Sequence, residues 1–107
     1  MGRLNYEHEA HADFDDRALT HLQIVIMAKL RRGEPFMFTW INDAREGGGR
    51  TTAWLHPKAD LVFRFQGSAH PDINRAWIEA LTEAANSPAG LRLLPEPTAT
   101  PVATASR

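Results

Sequence analysis

The chain has 107 residues, a formal net charge of -1 and no cysteine. That length suffices for one domain, and the lack of cysteine excludes disulfides and thiolate metal sites. The near-neutral charge gives no long-range attraction to nucleic acid or to anionic membranes. The sequence shows neither a secretory signal nor an apolar run of membrane-spanning length, so we expect a cytoplasmic protein.

The first predicted helix runs from Arg17 to Arg32, after two short strands predicted at residues 4–7 and 12–15. Aspartates precede it and basic residues fill its last turn before Gly33, as the helix dipole and a left-handed cap favour. Its apolar residues recur at helical spacing: Leu19, Leu22, Ile26 and Leu30. Three more apolar residues, Ile24, Val25 and Met27, widen this stripe, which indicates burial on two sides. Either the sheet curls round the helix, which we favour, or a second copy of the chain covers part of it.

Three strands are predicted next, at residues 36–41, 51–56 and 61–65. Consecutive glycines within residues 43–50 favour a tight connection between the first two, because glycine readily adopts positive φ. A second amphipathic helix begins at Pro71 and is stopped by the Asn-Ser-Pro-Ala-Gly stretch at residues 86–90. An edge strand is predicted at residues 91–94.

The element order ββαβββαβ predicts an α+β fold, because hairpins dominate and helices are few. We expect a single two-layer domain over residues 1–94, with a mainly antiparallel sheet and two helices. Residues 95–107 are rich in Pro, Thr and Ala and have little apolar surface to bury, so they are predicted to form a disordered tail.

Several stretches between residues 2 and 97 resemble a family of short, uncharacterised actinobacterial proteins. They are DDRAL at 15–19, KLRRGE at 29–34, FTW at 38–40, GRTTAWLHP at 49–57, NRAWIE at 74–79, NSPAGL at 86–91 and PEP at 95–97. Members of that family often carry the label ATP-dependent DNA ligase, so the resemblance implies at most an accessory role in DNA metabolism. A nucleotidyltransferase needs a Lys-x-Asp-Gly motif, whereas Lys58-Ala59-Asp60 is followed here by Leu61. We therefore expect no stand-alone ligase activity.

Two tryptophans on neighbouring predicted strands, Trp40 and Trp54, are the first candidates for a binding surface. If they share an exposed face, they form a stacking platform for bases or for a partner chain. His56 would lie beside them, and Arg50 and Arg64 would supply positive charge. If they point inward, they fill the core beneath the helices, which is the arrangement that we favour.

Lys29, Arg31 and Arg32 form the densest basic cluster of the sequence. Such a cluster can bind a phosphate or an acidic partner. We favour the alternative, in which these charges complement the carboxyl-terminal dipole of the first helix.

Three patterns approach known catalytic or ligand-binding motifs without completing them. His8 and His11 are one residue too close for the histidine pair of a zinc-binding helix. The glycine-rich residues 46–51 lack a lysine and lead into a strand, so we favour a hairpin turn over a phosphate-binding loop. His56 and Asp60 are the one pair considered as acid and base. The sequence therefore predicts no catalytic residue, no metal and no cofactor.

These observations predict a non-catalytic binding or accessory module that acts through protein contacts, with a homodimer as the expected form. The alternative is an accessory factor in DNA metabolism that binds nucleic acid through the arginines and tryptophans of its strands. A small enzyme that uses His56 is the least favoured hypothesis. No membrane partner is expected.

Overall fold

Two helices and two three-stranded sheets make up the domain in a computed structural model that describes residues 1–98. The elements are β1 (Gly2–Tyr6), β2 (Ala10–Phe14), α1 (Asp16–Arg31), β3 (Phe36–Ile41), β4 (Arg50–Leu55), β5 (Leu61–Arg64), α2 (Arg75–Asn86) and β6 (Leu91–Arg92). The predicted α+β class and the order ββαβββαβ are therefore confirmed. Neither helix is long and apolar enough to cross a membrane.

The strands form two sheets where the sequence led us to expect one. The first has the order β2-β1-β5 and is antiparallel, and the second has the order β4-β3-β6, with β6 parallel to β3. The rings of Phe14 and Phe38 stack at 6.2 Å between these sheets. The Tyr6 hydroxyl also donates a hydrogen bond of 2.9 Å to the Trp54 carbonyl. These contacts join the two sheets around one core.

The α1 helix begins where the carboxylate of Asp15 accepts a hydrogen bond of 2.7 Å from the Ala18 amide. It packs against β1, β2 and α2, so its widened apolar stripe is covered by several elements of its own chain. Val25 is buried and Met27 is half-buried, whereas Ile24 is 38% exposed. The burial of α1 on more than one side is thus confirmed.

The short strand β6 lies at an edge of the second sheet and depends on Gly90. This glycine has a φ of +84°, and a Cβ there would lie 2.8 Å from the Met37 carbonyl oxygen. A side chain at this position would therefore push β6 away from β3. The preceding helix α2 buries Trp77, Leu81 and Ala85 beneath this edge.

The folded part of the chain extends beyond Leu94, where the sequence predicted the tail to begin. Arg17 donates two hydrogen bonds, of 2.9 and 2.7 Å, to the Glu96 carboxylate. The Asn74 side-chain amide donates another, of 3.1 Å, to the Pro97 carbonyl. Residues Glu96 and Pro97, which the sequence assigned to the tail, thus contact the rest of the domain, and the boundary at residue 94 stays a prediction. The disorder predicted for residues 99–107 lies outside the described residues and stays a prediction.

Candidate functional site

One face of the second sheet is directed toward solvent, and its composition follows from the strand register. Directly opposed residues of antiparallel strands share a face. The register pairs Met37 with Trp54, Thr39 with Thr52 and Ile41 with Arg50, and it places Arg92 of β6 beside Thr39. We call these seven residues the open face.

The open face exposes large apolar side chains. Ile41 is 78% exposed and Trp54 is 53% exposed, and Leu93, directly after β6, is 38% exposed. A groove of about 690 Å³ runs over this surface, with Asp13 and Ala89 at its margin. The sheet thus offers a concave, partly apolar surface of the kind that binds ligands or partners.

The open face also carries two positive charges without a described counterion. Four other arginines each bind an aspartate or glutamate: Arg3, Arg17, Arg32 and Arg45. Within residues 1–98, neither Arg50 nor Arg92 has a carboxylate at ion-pair distance. Hydrogen bonds from Arg3, at 2.7 and 3.2 Å, hold the pKa of Asp13 below its usual value, so the charge of this neighbouring carboxylate is already compensated.

The two tryptophans of this sheet lie on opposite faces. Trp40 is 4% exposed and its ring lies 5.4 Å from that of Phe38 in the core. Trp54 points to solvent because it lies opposite Met37, not opposite a core residue of β3. The hypothesis that Trp40 and Trp54 form a stacking platform on one exposed face is therefore wrong. The favoured interpretation, that both tryptophans are buried, is correct for Trp40 and wrong for Trp54.

Arg64 does not join Trp54 in one cluster, and His56 does not pair with Asp60. Arg64 lies on β5, opposite Arg3 in the first sheet. His56 follows β4 and its Nδ1 accepts a hydrogen bond of 3.3 Å from the Lys58 amide. The carboxylate of Asp60 instead contacts the imidazole of His8 at 2.7 Å. The structure therefore does not form the acid–base pair that was considered for His56 and Asp60.

The predicted basic cluster is dispersed, because Lys29 is buried and cannot contribute to a surface patch. Its ammonium group binds the Asn86 side chain and contacts Glu34 at 3.1 Å, and it lies 5.8 Å from the centre of the Phe36 ring. Arg32 also binds Glu34, and these hydrogen bonds lower the pKa of that carboxyl. Arg31 alone of the three is exposed without a described side-chain partner.

The glycine-rich segment is a hairpin connection, as predicted. The backbone N–H of Asn42 donates a hydrogen bond of 2.9 Å to the Gly49 carbonyl, and this bond closes the loop between β3 and β4. Gly47, Gly48 and Gly49 have φ values of +93°, +67° and +77°. These left-handed conformations explain why the turn needs three glycines.

The two histidines of the sequence pattern His-Glu-Ala-His are engaged in separate contacts. His8 lies in the tight turn between β1 and β2, and the Nε2 of His11 contacts the Glu46 carboxylate at 2.8 Å. Among the described residues, no group of three or more His, Cys, Asp or Glu side chains could hold a metal ion.

A polar network that the sequence did not reveal surrounds a buried histidine of α1. His21 is fully buried in α1, and its Nε2 accepts a hydrogen bond of 2.9 Å from the backbone N–H of Asn74. Its Nδ1 donates one of 2.8 Å to the Arg17 carbonyl, which fixes the neutral tautomer. We call this group, completed by Trp77 and Glu96, the C-terminal clasp. The four-residue spacing of Arg17 and His21 is its one sequence signal.

The carboxylate of Glu96 is the charged centre of the C-terminal clasp. Hydrogen bonds from Arg17 and from the Asn74 side chain lower the pKa of Glu96 to about 2. The Trp77 indole donates a hydrogen bond of 2.9 Å to the Leu94 carbonyl, close to this carboxylate in sequence. The clasp thus connects the segment from Leu94 to Glu96 to α1 and to the start of α2.

Comparison with known proteins gives one finding. The model of a family described as a domain of unknown function (DUF7882) matches residues 1–96. The match includes both sheets, both helices and Glu96. No curated protein and no solved structure matches the chain.

Proposed function

The chain belongs to the DUF7882 family of domains of unknown function, and we propose that it is a non-catalytic binding module that acts through protein contacts at the open face. The proposal depends on one observation: Ile41, which lines the groove, and Trp54, at the other end of the open face, both project from a regular sheet into solvent. Large exposed apolar side chains on a concave surface mark interaction sites, and tryptophan is enriched among the residues that dominate binding energy.

The backbone at Trp54 is held in place by hydrogen bonds, as expected for a binding surface that is formed before the partner binds. Its carbonyl accepts the hydrogen bond from Tyr6, and its strand is paired with β3 over six residues. The Thr39 and Thr52 hydroxyls are also hydrogen-bonded to each other at 2.7 Å, in the middle of the open face. Little ordering of the sheet is therefore needed when a partner binds, which reduces the entropic cost of association.

A homodimer is the form that the sequence favoured, and it remains a prediction. The apolar surface of α1 is mostly covered by its own chain, so α1 offers little for a dimer. A two-fold dimer through the open face would bring Arg50 and Arg92 of both copies into one interface. Because four like charges in one interface repel each other, this arrangement favours a different protein as the partner. Sedimentation velocity across micromolar concentrations tests for the dimer, and a strict monomer at all of them would contradict the homodimer prediction.

The second candidate is an accessory factor in DNA metabolism that binds nucleic acid through the open face. It is supported by Arg50 and Arg92, which have no described carboxylate partner, and by the exposed indole of Trp54. The near-neutral net charge of the chain argues against it. Fluorescence anisotropy with single- and double-stranded DNA tests this candidate, which requires binding that weakens with salt and is lost in Arg50→Ser.

Site-specific photo-crosslinking in the cells that produce the protein tests the proposed function. A benzophenone amino acid replaces Thr52 on the open face, and a control replaces Glu79 on the exposed side of α2. We expect discrete protein adducts from position 52, absent from position 79 and absent when Trp54→Ser is added. Equal adducts from both positions, or adducts that persist without Trp54, would contradict the proposal.

A further inference from the structure

The layout of the open face indicates which kind of protein partner it binds, an inference that rests on the function proposed above. Trp54 and Met37 form an apolar pair at one end of this face, and Arg50 lies at the other end of β4, opposite the exposed Ile41. Trp54 lies four residue steps after Arg50 along the extended strand, which corresponds to about 13 Å. Arg92 lies across the sheet, about 10 Å from Thr52 with one strand between them.

These positions match the spacing of side chains along an extended peptide. Alternate residues of an extended chain point to the same side and recur about every 7 Å. A segment of five residues can therefore place a bulky apolar side chain on Trp54 and Met37 and a carboxylate on Arg50. A second carboxylate of the same segment can reach Arg92. Guanidinium groups bind carboxylates through paired, charge-assisted hydrogen bonds.

The other possible occupants fit this surface less well. A nucleic acid would also pair its phosphates with arginine, but the open face exposes only one aromatic ring, whereas single-strand sites stack successive bases on several. In a two-fold dimer through the open face, a second copy presents no uncompensated carboxylate, since none of the seven open-face residues is acidic and Asp13 at the margin of the groove is bound by Arg3. A partner that supplies its own acidic residues would form ion pairs with both Arg50 and Arg92.

We propose that the open face binds an extended acidic segment of another protein. A bulky apolar residue of that segment contacts Trp54 and Met37, and aspartate or glutamate side chains bind Arg50 and Arg92. The apolar contact supplies most of the affinity, and the two ion pairs select for acidic sequences and against basic ones.

Selection from a random library of twelve-residue peptides displayed on phage, with the full chain as the target, tests this inference. We expect the selected peptides to combine Asp or Glu with a bulky apolar residue. The affinity of a synthetic selected peptide, measured by fluorescence anisotropy, should fall about tenfold or more in Arg50→Ser/Arg92→Ser. Arg64→Ser, at an exposed arginine on the other sheet, is the matched control and should bind as tightly as the parent chain.

Each other outcome identifies which proposal fails. Selected peptides that are neutral or basic, yet lose binding in Trp54→Ser, would overturn the acidic partner and leave the protein-binding function standing. Peptides that bind Trp54→Ser as well as the parent chain, or no enrichment at all, would overturn both. Tighter binding of a twenty-residue oligothymidylate than of any selected peptide would overturn the acidic segment in favour of nucleic acid.

Discussion

His21 illustrates how single residues of this fold combine burial with polarity. Its imidazole lies 4.6 Å from the Trp77 ring and uses both nitrogens in hydrogen bonds to the backbone. A buried polar group is tolerated when its hydrogen bonds are satisfied, and here both are. His21 is therefore a structural residue that positions the start of α2.

Replacing His21 with Phe should lower the free energy of unfolding by about 1–3 kcal/mol. The aromatic volume is kept, but the Asn74 amide loses its acceptor and the Arg17 carbonyl loses its donor. Urea denaturation followed by circular dichroism measures the change. His70→Phe, at an exposed histidine, is the control and should change the stability by less than about 0.5 kcal/mol. Equal effects of the two substitutions would contradict the structural role of His21.

At the scale of the elements, the β3–β4 hairpin creates both the core and the open face. Phe38 and Trp40 point to one side and Thr39 and Ile41 to the other, since side chains alternate along a strand. A shift of the register by one residue would exchange the two surfaces. Arg50 and Trp54 can therefore form a binding surface only because the hairpin turn fixes their register against β3.

The C-terminal clasp is the second feature at this scale, and it predicts a pH dependence. The pKa of Glu96 is lowered from 4.5 to about 2 in the folded chain. Its contribution to stability is thus present above pH 4.5 and is lost as the pH falls toward 2. The stability difference between the parent chain and Glu96→Gln should disappear over this range.

Urea denaturation at a series of pH values measures this difference. Glu79→Gln, which removes an exposed carboxylate from α2, is the matched control. Hydrogen exchange of the Trp77 indole N–H, which donates to the Leu94 carbonyl, should be faster in Glu96→Gln because the segment from Leu94 to Glu96 is held less firmly. Unchanged stability and exchange in Glu96→Gln would show that the clasp does not hold this segment.

At the scale of the whole molecule, the two sheets and both helices share one hydrophobic core. Leu4 of the first sheet, Leu22 and Ile26 of α1, Phe38 of the second sheet and Leu81 of α2 are all buried in it. The first sheet packs against α1, the second packs against α2, and the two helices pack against each other. The domain is thus expected to unfold as one cooperative unit.

Unfolding in urea should therefore give coincident transitions by two probes. Far-ultraviolet circular dichroism reports on the helices and strands, and tryptophan fluorescence of the Trp54→Phe variant reports only on the buried Trp40 and Trp77. The midpoints should agree within error, because the second sheet has no core of its own. Separate midpoints would show that the two sheets unfold independently.

The sequence by itself determined the α+β class, the element order and the bounds of α1 to within one residue, whereas α2 begins at Arg75, four residues after the predicted Pro71. These features depend on local patterns, such as the aspartate cap of α1, the helical stripe from Leu19 to Leu30 and the glycines of the β3–β4 turn. Such patterns depend only on residues that are close together in the sequence, so they can be recognised without knowing the tertiary structure.

Only the tertiary structure decided which side chains meet. The sequence could not show that Trp54 is exposed whereas Trp40 is buried, because the alternation within a strand does not reveal which face the helices cover. It also could not show that Glu96 binds Arg17, since the two are 79 positions apart in the chain. Burial and long-range pairing depend on how the elements pack, and that packing placed Arg50, Arg92 and Trp54 on one surface.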